Sequence, residues 1–494
     1  MSLVLGLDIG TTSTIGILIE LPDRVLATAS RPVRLSSPQP GWAEEDPQQW
    51  WQNVCAIVPD LLGQSGRAAS EIAAIGVSGM LPAVVLLDET GNLLRPSIQQ
   101  SDGRCGPQVA QMRREIDESA FLARAGNGIN QQLVGAKLRW IAEHEPEIHA
   151  RAHTVFGSYD YINWRLTGVR AIEQNWALEA GVVDVAADAL APDLAAATGI
   201  PPETLPPLVR SHEILGHVNE KAAEATGLAA GTPVVGGAAD MVASALGAGV
   251  ISDGDVLLKF GGAVDILTAT RRVVPDPRLY LDYHLVPGLF MPNGCMSTGG
   301  SVLNWFVDTF VADRAGIEGS VHAWLDAQAA QRPAGASGLL VLPYFLGEKT
   351  PIHDPDARGV IEGLTLSHTI GDLWRAVLEA YAFALRHHVE VLRDIGHSVT
   401  RFTVSDGGAA STVWMQIVAD VLDAPLQRLG GHPGSCLGAA WTAAVGAGLA
   451  DWDGITAFTT KEQPIAPNPG HRDTYENGYR RYRALYDRLK GFHE

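Results

Sequence analysis

The stretch "LVLGLDIGTTSTIGILIE" (residues 3–20) predicts two apolar strands joined by a tight turn of small residues. The turn consists of Gly10, Thr11, Thr12 and Ser13. Asp8 places a negative charge inside the first strand, just before this turn. Backbone N–H groups in such a turn can hold phosphate oxygens, and a carboxylate beside them tolerates phosphate only with a cation such as Mg²⁺ between them. The alternative is a plain β-hairpin whose Asp caps the turn, and these residues alone slightly favour it.

Length, charge and cysteine content exclude several classes of protein. A chain of 494 residues is too long for one ordinary core and predicts two domains. The formal net charge of −19 argues against nucleic acid and anionic membrane surfaces as partners. The four cysteines form no CxxC pair, and no signal peptide or membrane-spanning run is evident. We therefore expect a cytoplasmic protein that binds neither nucleic acid nor membrane; a homodimer remains an open alternative to a monomer.

Strand and helix patterns alternate along the chain, which predicts the α/β class. Residues 46–62 and 373–396 have helical patterns, and the second is the strongest amphipathic helix of the sequence. The stretch "GDVLLKFGGAVDILTA" (residues 254–269) repeats the plan of residues 3–20, a strand, a turn of small residues and a second strand. This repetition predicts two related halves, which we place at 1–249 and 250–494.

Two further features suggest a site between these halves. "GGAAD" ends in Asp240, which follows a predicted strand and precedes a predicted helix, so it is either a helix N-cap or a general base. The pairs Gly261-Gly262 and Gly407-Gly408 follow predicted strands and let backbone approach a ligand closely, although glycine is also an ordinary turn residue. Three such turns favour a nucleotide held between two domains. Neither a P-loop nor a GxGxxG motif is present.

The segment 76–105 predicts buried strands that end in polar residues. These are Gln99, Gln100, Ser101, Asp102 and Arg104. A sugar needs paired hydrogen-bond donors and acceptors, so this segment is a candidate polyol surface; the alternative is a solvated loop. His387 and His388 lie on the predicted amphipathic helix, where we interpret them as structural or solvated and not as ligands.

Several motifs resemble those of the FGGY carbohydrate kinases, and within them the xylulokinase-like members. They are "GLDIGTTS", "GWAEEDPQQWW", "LVGAKLRWIAEHEPE", "GVIEGLTLSHTIGDLWRAVLEA", "PYFLGEKTPIHDPDARG" and "GSCLGAAWTAAVGAG". The fourth matches the second family signature at every constrained position, and the similarity runs from about residue 5 to 448. The resemblance implies two actin-like ATPase (ribonuclease H-like) domains, each a mixed sheet flanked by helices, with a cleft between them.

The same resemblance implies transfer of the γ-phosphoryl group of ATP to a sugar hydroxyl, with Mg²⁺. Asp240 then corresponds to the catalytic base, and Asp8 and Asp240 are the candidate metal residues. The implied phosphate residues are Gly10, Thr11, Thr12, Ser13, Gly261 and Gly262. The implied adenosine residues are Gly407, Gly408, Ala409 and Ser411. The implied sugar contacts are Met80, Leu81, Pro82, Gln100, Asp102, Arg104 and Asp240.

Some positions depart from the family pattern. Leu81-Pro82-Ala83 replaces a segment with a sugar-contacting His, Gln100 replaces a Trp, and Ile172-Glu173 replaces a Thr-Asp pair. The Gly261-Gly262-Ala263 turn has no hydroxyl, and Ile15 stands where a basic residue is common. The binding of phosphate should then depend more on backbone N–H groups and on the metal ion than on side chains. The resemblance implies a ketose such as D-xylulose as the substrate, and these departures leave another ketose or polyol, such as ribulose, erythrulose or erythritol, as an alternative. A nucleotide-dependent, non-catalytic protein is the alternative function.

Overall fold

The hairpin predicted from residues 3–20 forms and lies near the middle of a mixed β-sheet in the computed structural model, which describes residues 2–311, 317–431 and 434–492. In chain order the strands are β1 (Leu3–Ile9), β2 (Ser13–Glu20), β3 (Arg24–Pro32), β4 (Glu44–Glu45), β5 (Ile72–Gly79), β6 (Val85–Leu87), β7 (Ser97–Ile98), β8 (Thr154–Phe156), β9 (Ile172–Glu173), β10 (Val183–Asp184), β11 (Ala189–Leu190), β12 (Leu208–Val209), β13 (Ile214–His217), β14 (Pro233–Val235), β15 (Ala238–Ala239), β16 (Asp255–Phe260), β17 (Val264–Thr268), β18 (Tyr280–Tyr283), β19 (Phe290–Cys295), β20 (Leu340–Leu342), β21 (Val360–Glu362), β22 (Arg401–Ser405) and β23 (Leu426–Arg428).

The α-helices cover the faces of the sheets and connect their strands. They are α1 (Pro47–Ser65), α2 (Gly106–Glu115), α3 (Glu118–Ala125), α4 (Val134–His144), α5 (Pro146–Arg151), α6 (Ser158–Thr167), α7 (Gln174–Glu179), α8 (Pro192–Thr198), α9 (Glu220–Thr226), α10 (Asp240–Gly247), α11 (Gly300–Phe310), α12 (Val321–Ala330), α13 (Ile370–Asp394), α14 (Thr412–Leu422), α15 (Ser435–Gly446) and α16 (Arg472–Leu489). None of these helices is both long enough and apolar enough to cross a membrane.

The first sheet has the order β13-β14-β5-β1-β2-β3, with β15 also paired to β5. β1 runs antiparallel to β2 and parallel to β5. All seven residues of β1 are buried, because helices cover both faces of the sheet. On one face, Gly16 of β2 lies under Ile57 of α1, and on the other, Gly6 of β1 lies under Cys436 of α15.

The second sheet repeats this arrangement in the order β18-β19-β17-β16-β22-β23. β16 runs antiparallel to β17 and parallel to β22, as β1 does to β2 and β5. The repeated hairpin predicted from residues 254–269 is therefore confirmed, and so is the fold class of mixed sheets flanked by helices. The predicted helix within 46–62 extends to Ser65 after its N-cap Asp46, and the one within 373–396 is α13. The two adjacent histidines of α13, His387 and His388, are buried and not solvated.

One helix from the second half belongs structurally to the first sheet. α15 packs on β1 and β5, although it follows the whole second sheet in the chain. Its Gly438 approaches α10 so closely that a Cβ there would lie 1.9 Å from the carbonyl oxygen of Ala243. The predicted boundary at 249/250 lies between β15, the last strand of the first sheet, and β16, the first strand of the second. It stays a prediction, because α15 comes from the second half of the chain and packs on the first sheet.

Candidate active site

Two cavities are lined by residues that the sequence singled out, among them the two later glycine turns, Thr11 and Asp240, whereas Asp8 lines neither. The glycine cavity, of about 630 Å³, is lined by both later glycine turns and by residues of α11, α12, α13 and α14. The carboxylate cavity, of about 220 Å³, draws residues from both halves of the chain. Its lining residues are Thr11, Met80, Leu81, Gln100, Gln132, Glu179, Asp240, Met241, Lys259, Asp265, Leu267, Tyr280, Asn293, Gly294, Cys295 and Lys349.

The glycine cavity brings together residues predicted for two parts of one nucleotide. Its walls include the predicted phosphate residues Gly261 and Gly262 and the predicted adenosine residues Gly407, Gly408 and Ser411. Trp374 and Trp414 add aromatic walls. Ala409 is buried in the short 3₁₀-helix that follows β22 and is not among the lining residues; its neighbour Ala410 is.

The close packing behind this cavity explains one of its glycines. A Cβ at Gly408 would lie 2.7 Å from side-chain atoms of both Phe260 and Trp414. Asp406, which precedes the Gly407-Gly408 pair, has φ of 71°, a conformation that non-glycine residues adopt only at a cost. The loop is thus held tightly against β16 and α14, which gives the cavity a defined wall before any ligand binds.

Asp8 reaches the end of β1 as a buried carboxylate with 7% of its surface exposed. The hydroxyl of Ser78, on the neighbouring β5, donates a hydrogen bond of 2.7 Å to Asp8 Oδ1. Burial raises the pKa of Asp8 above its usual value, against hydrogen bonds from Ser78 and Ser435 and the charge of Lys259. Ser435 is the first residue of α15, so this helix closes the site from the second half of the chain.

Asp240 is the first residue of α10, one position inside the helix, and Ala239 is the N-cap residue. The N-cap interpretation of Asp240 is therefore wrong by one residue. Its Oδ1 instead accepts a 2.6 Å hydrogen bond from the adjacent N–H of Met241. Burial and then the charge of Asp8 raise the pKa of Asp240 to about 7, and Lys259 opposes this rise. A carboxylate with this pKa in a cavity is suited to accept a proton near neutral pH.

Lys259 is a cavity residue that the sequence analysis missed. It lies on β16, paired with Asp265 of β17, and lines the same cavity as Asp240. Burial alone lowers the pKa of Lys259, but the charges of four carboxylates, those of Asp265, Asp406, Asp240 and Asp8, raise it overall. A signal was present in the sequence: a lysine inside an apolar strand is as unusual as the carboxylate of Asp8 in the first strand.

The comparison with known protein families decides what this geometry belongs to. The FGGY family of carbohydrate kinases matches with its N-terminal domain over residues 3–247 and with its C-terminal domain over residues 262–447. The chain belongs to the FGGY family of carbohydrate kinases. The resemblance noted in the sequence is thus confirmed, together with the expected enzyme class.

Individual relatives of this FGGY kinase are similar over nearly their whole length. The crystal structure of xylulose kinase from Rhodospirillum rubrum is 56% identical, covers 99% of both chains and superposes with a TM-score of 0.95. The xylulose kinase of Bacillus subtilis (strain 168) is 30% identical over 100% of this chain and 99% of its own. An L-xylulose/3-keto-L-gulonate kinase of Escherichia coli (strain K12) is also 30% identical, over 99% of this chain and 97% of its own.

The kinase places only part of the predicted sugar surface in the carboxylate cavity. Met80, Leu81 and Gln100 line it, and Gln100 Oε1 accepts a 3.3 Å hydrogen bond from Gln132. Pro82 does not; its carbonyl oxygen accepts a hydrogen bond of 3.4 Å from the buried Lys137.

Asp102 and Arg104 also lie outside this lining, and their role as sugar contacts stays a prediction. Arg104 bonds Asp102 at 2.7 Å and Glu44 at 2.8 Å, and its guanidinium stacks 3.7 Å from the ring centroid of Trp42. These contacts hold both side chains in the scaffold, while Arg104 Nη1 is buried without a hydrogen-bond partner among the described residues.

Only one residue of the first turn lines a cavity, and others contact each other within the turn. Thr11 lines the carboxylate cavity, whereas the amide of Gly10 donates across the turn to the carbonyl of Ser13 at 3.1 Å. Thr12 is exposed and is not a lining residue of either cavity.

The two acids of the kinase fit a magnesium ion brought in with a nucleotide. Within residues 2–311, 317–431 and 434–492, no group of three or more His, Cys, Asp or Glu side chains is arranged to hold a metal ion. Mg²⁺, however, is commonly bound by one or two carboxylates together with substrate phosphates and waters. The buried carboxylate of Asp8, close enough to Asp240 to raise its pKa, matches that requirement.

Proposed function

We propose that this protein is a xylulose kinase, which transfers the γ-phosphoryl group of ATP to a hydroxyl of D-xylulose. The observation that carries the proposal is the similarity, over nearly the entire chain, to the xylulose kinase of Rhodospirillum rubrum. The loss of the family His near Leu81 and of the Trp at Gln100 had argued for a different ketose or polyol. At this level of overall identity, we give those two differences less weight than the match of the whole chain.

The arrangement of the cavities supports a direct transfer between two bound substrates. ATP would place its adenosine in the glycine cavity and its phosphates along the turn at Gly261 and Gly262. The sugar would occupy the carboxylate cavity, with the reacting hydroxyl at Asp240. As the hydroxyl oxygen attacks the γ-phosphorus, the Asp240 carboxylate takes its proton and the electron pair of the breaking P–O bond leaves with ADP.

Magnesium belongs to this proposal through Asp8 and Asp240. When bound, it would neutralise charge on the phosphate oxygens. The protein positions the two carboxylates for this: hydrogen bonds from Ser78 and Ser435 hold Asp8, and Asp240 is fixed as the first residue of α10. The cytoplasmic location stays a prediction, and the choice between monomer and homodimer stays open.

Lys349 favours sugar acids as a second class of substrate. Lys349 lines the carboxylate cavity, and within the described part of the chain its Nζ has Cys295 Sγ at 4.0 Å as partner and no ion pair with a carboxylate. A cation without a carboxylate partner in a sugar cavity suits a sugar acid, the class named for the relative from Escherichia coli. D-xylulose remains the first candidate because the most similar of the reported relatives is a xylulose kinase.

The test is a comparison of substrates with the purified protein. ADP release in the presence of Mg²⁺ would be measured with D-xylulose, L-xylulose, D-ribulose, erythrulose, erythritol, gluconate and 3-keto-L-gulonate. We expect the highest kcat/KM for D-xylulose. A higher value for a sugar acid would support the second candidate instead, and ATP binding with no phosphorylated sugar would support the non-catalytic alternative.

A further inference from the structure

Lys259 occupies the position where the two cavities adjoin. Its side chain lines the carboxylate cavity, while the next two residues, Phe260 and Gly261, line the glycine cavity. β16 therefore turns from one cavity to the other within a single peptide. A phosphoryl group that leaves a nucleotide in the glycine cavity for a hydroxyl in the carboxylate cavity must pass this point.

The ammonium group of Lys259 is available for a ligand. Within the described residues it has no carboxylate within 4.0 Å, so it is not held in a salt bridge. Four carboxylates nevertheless act on it from a greater distance, two from the first half of the chain (Asp8 and Asp240) and two from the second (Asp265 and Asp406). The side chain is half-buried, which strengthens its interaction with an incoming anion. An ammonium has three donors, and here they face a cavity.

The repeated hairpins show why the cation comes from this position. Asp8 precedes Gly10 of the first turn by two residues, and Lys259 precedes Gly261 of the second turn by two residues. Across the first hairpin Asp8 faces Ile15, whereas across the second Lys259 faces Asp265. The strand before the first turn thus carries a buried carboxylate at this position, and the strand before the second turn carries an ammonium that lines the carboxylate cavity. A bound metal ion can use the former, and a phosphate oxygen can use the latter.

We propose that Lys259 is a positioning residue that binds the transferring phosphoryl group of the nucleotide. The inference rests on the proposed function for the presence of ATP, but not for the identity of the sugar. Lys259 keeps its proton throughout, while the sugar oxygen forms its bond to phosphorus, the bond to ADP breaks, and the hydroxyl proton goes to Asp240. Lys259 therefore contacts ATP at a group that ADP lacks, and it should discriminate between the two nucleotides.

Nucleotide titration tests this directly and needs no sugar. The dissociation constants of Mg-ATP and Mg-ADP would be measured by calorimetry for the wild type, Lys259→Met, Lys259→Gln and Lys259→Arg. Hydrogen bonds to charged groups contribute enough that we expect ATP binding to weaken by about tenfold to a hundredfold in the Met and Gln variants. ADP binding should stay within about twofold, and Arg should restore most of the preference for ATP.

Lys349→Met is the matched control, because it removes the second lysine of the same cavity. It should raise KM for the sugar and leave the ratio of ATP to ADP affinity unchanged. Equal weakening of ATP and ADP in both neutral Lys259 variants would overturn the proposal in favour of a structural role, and so would unchanged binding of both. Thermal melting of each variant identifies misfolding, and the Gln variant remains a test if the Met variant unfolds. A wild type that prefers ATP through Lys259 but phosphorylates no xylulose contradicts the proposed function alone.

Discussion

The packing of α15 on the first sheet depends on the absence of a side chain at Gly76 of β5. A Cβ at this position would lie 2.0 Å from the carbonyl oxygen of Ala439 in α15, whereas ordinary contact begins at 3.4 Å. Gly76→Ala therefore has to move α15 away from the sheet by about 1 Å or more. The helix cannot yield freely, because Gly6 holds it on the same sheet face and Gly438 holds it against α10, with Cβ distances of 2.1 and 1.9 Å to backbone oxygens. Overpacking of this kind costs about 1–3 kcal/mol, and we expect the upper end of that range for Gly76→Ala.

The same substitution should reduce activity, because α15 begins at the site. Ser435, its first residue, hydrogen-bonds to Asp8, and a shift of α15 weakens that contact. Displacements of about 1 Å in catalytic groups can reduce rates by about a hundredfold. We therefore expect kcat/KM for Mg-ATP to fall by about tenfold to a hundredfold in the protein that remains folded.

Urea denaturation and steady-state kinetics would measure both effects, with Gly63→Ala as the control. Gly63 is exposed in α1, and a Cβ there has no atom within 4 Å. Alanine at that helical position should stabilise the protein by up to about 1 kcal/mol and leave kinetics unchanged. If Gly76→Ala is as stable and as active as Gly63→Ala, the close packing of α15 does not determine the site.

Two further predictions concern buried charged groups. Burial lowers the pKa of His388 to about 4, with its Nδ1–H donating to the carbonyl of Ala384 and its Nε2 accepting from Thr350. Since the unfolded chain takes up this proton near pH 6.5 and the folded chain does not, stability should fall between pH 6.5 and 4 by up to about 3 kcal/mol from this group. The difference in unfolding free energy between wild type and His388→Gln should shrink correspondingly over this pH range; a constant difference would contradict the assignment. Arg104→Met leaves Asp102 without its buried cation, whereas Glu44 keeps its ion pair with Arg95, and the variant should cost about 3–5 kcal/mol of stability, measured by denaturation. A change in sugar KM without loss of stability would instead restore Arg104 as a sugar contact.

Local patterns in the sequence predicted the elements that carry the fold. Alternation of apolar residues around a short turn marked both hairpins, and three- and four-residue spacing marked α13, because these periods follow from strand and helix geometry. Asp8 and Asp240 could also be singled out from the sequence, although an acid beside a turn or at the start of a helix is often a cap, so their combination with the glycine turns and the family motifs was needed to favour a site.

The rest of the site depends on contacts between distant parts of the chain. Arg104 looked like a free polar residue in the sequence, but it pairs with Glu44 and stacks on Trp42, which lie about 60 residues earlier in the chain. The position of α15 on the first sheet has no local signal, because it is determined by glycines at 6, 76 and 438 that meet only after folding. Lys259 was visible in the sequence, yet its importance arises from carboxylates of both halves that surround it in three dimensions.

In the proposed reaction, a sugar hydroxyl gives its proton to Asp240 while the phosphoryl group passes from the nucleotide to the sugar. A single-turnover measurement of phosphoryl transfer from labelled ATP to D-xylulose, at saturating Mg-ATP, compares the wild type with Asp240→Asn. We predict a rate at least about a hundredfold lower in the variant, with D-xylulose phosphate as the wild-type product and nucleotide affinity largely retained. Transfer by Asp240→Asn at a rate within about threefold of the wild type would show that Asp240 is not the general base.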